Sequence, residues 1–329
     1  MSRMNRYPIC IVLSLVASLM AAETAAFAGD DPAALFEQAR ALDRPESGRE
    51  TLVEAARLYE SAARGGHLAA MTRVGTMYVM GEGVEEDEAR GAKWIRSAAE
   101  ASHPAAQREY GLLLAEGWGV EEDDVAAVPW FRKAAAAGDA LGLARLGLAY
   151  EFGEGVDADP KQAKRWLTEA RAALDRDLKA TGDPEVAMML GTLFDEGLGG
   201  RTDDARAVAL YRQGAEAGHG ESQFYLAYML LAGEGTKRNA SEAIRWYIRA
   251  ANQGDDEAME ELARIYAEGD GVAVDGPAHV YWSARAEMSE LEAEDDPDLP
   301  NDQERKLEAE LRAHLRAYEK AHPEVAPRR

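Results

Sequence analysis

The chain has 329 residues, 60 acidic against 37 basic, a formal charge of −23 and a single cysteine. So negative a balance repels nucleic acid and anionic lipid, which argues against both as partners. With Cys10 as the only thiol, disulfide frameworks, thiolate zinc sites and redox motifs are excluded.

Arg3 and Arg6 open the chain, Ile11 to Ala22 is an apolar run too short for a stable bilayer anchor, and Ala26-Phe27-Ala28 offers small residues for cleavage. Residues 1–28 therefore read as a secretory signal peptide, cleaved after Ala28, with a periplasmic or secreted mature chain. Cys10 precedes the apolar run, the wrong side for a lipid anchor, and no later stretch is long and apolar enough to insert stably in a membrane. Cleavage removes Arg3, Arg6, Cys10 and Glu23, leaving 301 residues without cysteine at a charge of −24. Packing alone must hold them together.

Residues 29–48 carry a short capping helix, with Asp31 as N-cap and Pro32 at the first position, running to about Leu42. Residues 49–286 then repeat. A Gly-x-Gly pair recurs at Gly81, Gly117, Gly153, Gly197, Gly233 and Gly269, in steps of 36, 36, 44, 36 and 36. Leu58, Trp94, Trp130, Trp166, Leu210, Trp246 and Trp282 keep the same beat, with Ala62, Ala98, Ala134, Ala170, Gly214, Ala250 and Ala286 four positions on. A fourth column runs Gly75, Gly111, Gly147, Gly191, Ala227 and Ala263.

Each unit holds two helical stretches, such as Val125 to Ala137 and Ala140 to Phe152, closed by the Gly-x-Gly. The spacing predicts an all-α fold, an alpha-alpha superhelix of six full units plus a final helix. The tryptophan column is expected to be buried between units, and the small residues to allow close helix approach. The first glycine of each pair ends a helix in the left-handed conformation.

The stretches Ala92 to Ala99, Gly153-Glu154-Gly155-Val156-Asp157 and Ala243 to Ala251 resemble the Sel-one-like repeat family, relatives of the tetratricopeptide repeats. The resemblance covers roughly Glu50 to Ala286 and implies an adaptor that assembles protein complexes in the cell envelope, with first helices on the concave face. Cysteine-rich relatives are linked to β-lactam chemistry; the absence of paired cysteines here argues against that activity.

Residues 287–329 read as a linker, a second capping helix and a tail. Asn301 and Glu304 form a capping box, Leu307, Leu311, Leu315 and Tyr318 the apolar stripe to about Ala321, and Glu324 to Arg329 a disordered end.

Nucleophile elbows, metalloprotease helices and phosphate loops are missing, so no enzyme, cofactor or metal site is expected. His67, His103 and His219 share a column with Asp139 and Asp255, where aspartate reads as an N-cap for the second helix, and the histidines are read as structural. The acidic runs Glu85 to Glu88 and Glu121 to Asp124 precede first helices, where the dipole favours them.

First helices carry the basic residues, among them Arg96, Arg132, Lys133, Arg212 and Arg249, candidates for a partner-binding groove suited to an acidic or extended protein segment. The 44-residue step adds eight residues; Leu167, Ala170, Leu174 and Leu178 continue an apolar stripe that predicts a helix from Pro160 to about Ala180. If the addition projects from the C-terminal end of that helix, Leu174 and Leu178 are exposed and become partner contacts. The favoured function is a protein-docking adaptor; the alternative is a cell-wall or small-ligand binding protein with weak hydrolase activity.

Overall fold

The computed structural model describes residues 31–44, 47–293, 312–313, 315–323 and 325. The expected signal peptide, the linker after residue 293, and Asn301, Glu304, Leu307 and Leu311 lie outside the described residues. Two compact units divide the chain, Met1–Ala158 and Asp159–Arg329. All the regular elements among the described residues are helices, set as antiparallel pairs joined by short turns.

The first unit holds α1 (Pro32–Leu42), α2 (Arg49–Arg64), α3 (Leu68–Met80), α4 (Glu88–Glu100), α5 (Pro104–Glu116), α6 (Asp124–Ala136) and α7 (Ala140–Phe152). The second holds α8 (Pro160–Thr181), α9 (Pro184–Asp195), α10 (Asp204–Glu216), α11 (Gly220–Ala232), α12 (Ala240–Ala251), α13 (Asp256–Glu268) and α14 (Gly276–Ala293).

Capping explains where these helices begin. Second helices start from one column: the Nδ1 atoms of His67, His103 and His219 accept from the backbone N–H three residues on, at 3.2–3.3 Å, as the Asp139 and Asp255 carboxylates do at 2.6 and 2.8 Å. First helices start from Asp87, Asp123, Asp159, Asp203 and Asn239. Their ends rest on glycine: Gly81, Gly117, Gly153, Gly233 and Gly269 cap helices with φ between 66° and 81°, and Gly197, one residue past the cap Glu196, has φ 68°. The second glycine of the pair has a further reason to lack a side chain. A Cβ on Gly119 would collide with the Glu88 carbonyl, and one on Gly155 with the Asp124 carbonyl, at the start of the first helix of the same repeat.

The core is built on a column one place beyond the tryptophans. Tyr59, Ile95 and Phe131 in the first unit, and Leu167, Tyr211 and Tyr247 in the second, are at most 6% exposed. Trp94, Trp130 and Trp166, expected to be buried, are only half-buried, whereas Trp246 and Trp282 are buried. Leu58 and Leu210 of the same column are buried as well, so the column is covered unevenly: adjacent helical positions stand about 100° apart, and Trp94, Trp130 and Trp166 fall toward the rim. The small columns do as expected: Ala62, Ala98, Ala134, Ala170 and Ala250 are fully buried. At Gly111 a Cβ would meet the Phe131 ring at 2.6 Å, and at Gly191 the Tyr211 ring at 2.7 Å.

The irregular step corrects the sequence reading. Helix α8 spans Pro160–Thr181, ends on Gly182 (φ 68°) and is followed by the Asp183 cap and Pro184, as the residues require. Yet Leu174 is 0% exposed and Leu178 7%, so neither is a surface contact. Gly199 approaches the backbone of Leu167 and Thr168, whereas Gly119 and Gly155 approach the first residues of their helices. The C-terminal half of α8 thus packs as the first helix of the following repeat, while its N-terminal half keeps the 36-residue beat of the preceding ones. Asp175 receives Arg206 at 2.6 Å as Glu60 receives Arg90 at 2.5 Å, which sets Leu174 in the place of Tyr59. Leu167 keeps the beat of the preceding repeats and Leu174 serves the next; seven residues, about two turns, hold both on one face.

At the start of the chain, α1 packs Leu35 and Ala39 onto α2, and Phe36 stacks on His67 at 4.3 Å. Asp43 receives Arg73 in two bonds (2.6 and 2.8 Å) and the Tyr59 hydroxyl at 3.1 Å. At the other end Leu315 and Tyr318 pack on the core, with Tyr318 stacked on Tyr281 at 4.6 Å. Val325, read as part of a disordered tail, is 5% exposed within that core.

Candidate docking surfaces

The half-buried tryptophans lie beside the basic residues singled out from the sequence. In the first unit the Trp130 ring stands edge-on to Tyr110 (5.2 Å between centroids) and carries the Lys133 ammonium over its face at 3.5 Å. Arg132, exposed on the same helix, donates to the Tyr150 hydroxyl at 3.0 Å. Trp94 repeats the half-buried position one repeat earlier, and Arg96 nearby pairs with Glu100 at 2.8 Å, four residues along the helix. This ridge is aromatic, and its cations are already engaged.

The second unit has the same grammar. Arg249 lies over Trp246 at 4.4 Å, Arg285 over Trp282 at 5.0 Å and Arg165 over Trp166 at 4.7 Å. Arg212 bonds Glu242 in the next first helix at 2.5 Å. Tryptophan followed three positions later by lysine or arginine (Trp130/Lys133, Trp246/Arg249, Trp282/Arg285) is the helical spacing that brings the pair together. That signal was present in the sequence, but it does not track exposure, since Trp246 and Trp282 are buried while Trp94 and Trp166 are half-buried without it. The structure does not bring Leu174 and Leu178 to these surfaces, since both are buried.

The capping histidines are engaged with the backbone of the helices they start. Each Nδ1 is occupied by a backbone N–H, and burial pushes the pKa of His103 and His219 down. Among the described residues no group of three or more His, Cys, Asp or Glu side chains is placed to hold a metal ion. Among them, too, no helix is long and apolar enough to cross a membrane.

Tandem antiparallel helix pairs with this glycine punctuation and this small-residue column define an α-solenoid repeat protein. The Sel1 repeat profile matches residues 52–67, 68–103, 104–139, 140–173, 184–219, 220–255 and 256–286, and the chain belongs to the Sel1 repeat family. The unmatched residues 174–183 are the C-terminal end of α8 and its turn.

A Sel1 repeat protein from Oxalobacter formigenes is similar at 30% identity, covering 72% of this chain and 92% of that one, with a TM-score of 0.50. A protective antigen of uropathogenic Escherichia coli with the SLR fold is 26% identical over 91% of this chain and 72% of its own (TM-score 0.41). A putative Sel1 repeat protein from Klebsiella pneumoniae is 21% identical over 64% of this chain and 98% of its own (TM-score 0.42). A search of curated protein sequences gives no match. Sel1 repeat proteins are in general scaffolds for protein–protein interaction.

Proposed function

We propose that this chain is an exported scaffold, periplasmic or secreted, that docks another protein of the cell envelope on its repeat surface and catalyses no reaction itself. In this reading residues 1–28 are a signal peptide, 29–48 and the end of 287–329 cap the stack, and 49–286 are the docking repeats. The observation that carries it is the half-buried aromatic ridge of Trp94 and Trp130, flanked by Arg96, Arg132 and Lys133. Tryptophan and arginine dominate the energetics of protein interfaces, and a purely structural core would bury both tryptophans. Arg212 and Arg249 extend the same pattern in the second unit.

The test places a photo-crosslinking benzoylphenylalanine at Arg132 or Lys133 in the native cell, with Glu151 on α7 as the control position. The proposal expects a discrete crosslinked product from the ridge positions, absent at Glu151, and a mature N-terminus at Gly29 in the exported fraction. Equal, diffuse crosslinking from all three positions would overturn the docking surface. An unprocessed N-terminus would overturn the location.

A further inference from the structure

A second surface, in the second unit, differs in chemistry from the tryptophan ridge. A cleft between α11 and the start of α13 is lined by Glu221, Phe224, Tyr225, Asp255, Asp256 and Glu257. Its aromatic wall is rooted in the core: Tyr225 stacks on the fully buried Tyr211 at 5.3 Å, and Phe224 stands edge-on to the fully buried Tyr247 at 5.6 Å. Every charged side chain on it is a carboxylate. Burial, with Glu257, Asp256 and Glu221 close by, pushes the Asp255 pKa up. The helix dipole accounts for the acidic residues at the start of α13 and for Glu221 in the first turn of α11; it does not account for the aromatic wall they share.

The chain itself shows what fills this position elsewhere. Asp139 occupies the capping column of Asp255, and Arg108 precedes Asp139 by 31 positions, as Phe224 precedes Asp255. In that first-unit repeat the Arg108 guanidinium reaches Asp139 at 3.9 Å and Glu109 at 2.5 Å, with its side chain only 11% exposed. In the second unit a ring replaces the arginine, and among the described residues no cation is bonded to Glu221, Asp255, Asp256 or Glu257.

We propose that this cleft docks an arginine side chain of an extended basic segment on the partner protein, the guanidinium lying against Phe224 and Tyr225 and bonding Glu221 and Glu257. The proposal rests on the scaffold reading for its partner but uses a different surface. A guanidinium satisfies carboxylates and stacks on aromatic faces at once, which a lysine ammonium does less well.

The test is fluorescence anisotropy of labelled hexa-arginine and hexa-lysine peptides on the full mature chain. The cleft variant is Glu221→Gln/Asp256→Asn/Glu257→Gln, all exposed positions; the control, Glu121→Gln/Glu122→Gln/Asp124→Asn, removes equal charge from the first unit. Hexa-arginine should bind the cleft variant about tenfold more weakly, the control within about twofold of wild type, and hexa-lysine more weakly than hexa-arginine throughout. Phe224→Arg, which copies Arg108, should also lose the peptide while melting as a folded protein. Equal losses in cleft and control variants, unchanged binding in the cleft variant, or no preference for arginine would each overturn the proposal. Since peptide binding is read directly, a failed ridge crosslink beside an intact cleft result tells against the scaffold reading alone, and the reverse against the cleft alone.

Discussion

Replacing Leu174 with alanine tests the corrected register of α8. The side chain is 0% exposed, and Ala170 and Ala173 around it are buried too. Removing its isopropyl group forfeits burial of about three methylene equivalents, or about 2.4 kcal/mol at 0.8 kcal/mol each, and the cavity left behind raises the loss to about 3–4 kcal/mol. Leu167→Ala, fully buried two turns earlier on the same face, should cost a similar amount. Urea unfolding followed by circular dichroism reads the difference; with a slope of about 3 kcal/mol per molar, the midpoint falls by about 1 M. The comparison needs an unchanged slope, because stacked repeats can lose cooperativity. A Leu174→Ala midpoint within about 0.5 kcal/mol of wild type, the range of exposed positions, would refute the register and return the leucine to the surface.

Three further outcomes follow from the geometry. Phe131→Ala should cost about 3–5 kcal/mol and Trp130→Ala about half of that, because the ring one place earlier is already half in water; equal losses by chemical denaturation would contradict the rim assignment. Gly119→Ala combines φ 66° with a collision at the Glu88 carbonyl and should cost about 2–4 kcal/mol, against about 1 kcal/mol for Gly138→Ala, where φ is 85° but space is open; matching melting temperatures would show the close approach to be irrelevant. Burial holds the folded-state pKa of His103 and His219 below the unfolded value of about 6.5, so the stability of their caps is fully present above that value and is lost as pH falls through the lower folded-state value. His103→Asn/His219→Asn keeps an acceptor without the titration, so the fall in melting temperature from about pH 7.5 to about pH 5.5 should be shallower than in wild type.

The repeat was legible because its signals are local and periodic. Asp31-Pro32, the capping column and Gly-x-Gly each act within a turn of their own position, and all form the predicted structure. What the sequence concealed was geometry decided between helices. Size alone favoured tryptophan over its smaller neighbour for the core, yet the helix face belongs to Tyr59, Ile95 and Phe131. The α8 stripe was read as projecting from the repeat, and only the approach of Gly199 to Leu167 and Thr168 and the Asp175–Arg206 pair show that its C-terminal half packs on the following helices. The basic residues looked free along the chain; Arg96, Arg132, Lys133, Arg212 and Arg249 each find an acid, a hydroxyl or a ring in space. The second-unit cleft needed a comparison between repeats 116 positions apart, Arg108 with Phe224, which no single motif displays.

The central claim is that the tryptophan ridge is a docking surface rather than a poorly covered core. The most direct measurement is the dissociation constant of the partner crosslinked at Lys133, purified and titrated against wild type and against Trp94→Ala/Trp130→Ala. Binding should be at least about tenfold weaker with the variant still cooperatively folded, since truncating an interface tryptophan commonly costs more than about 1.4 kcal/mol. An unchanged dissociation constant in a folded variant would contradict it.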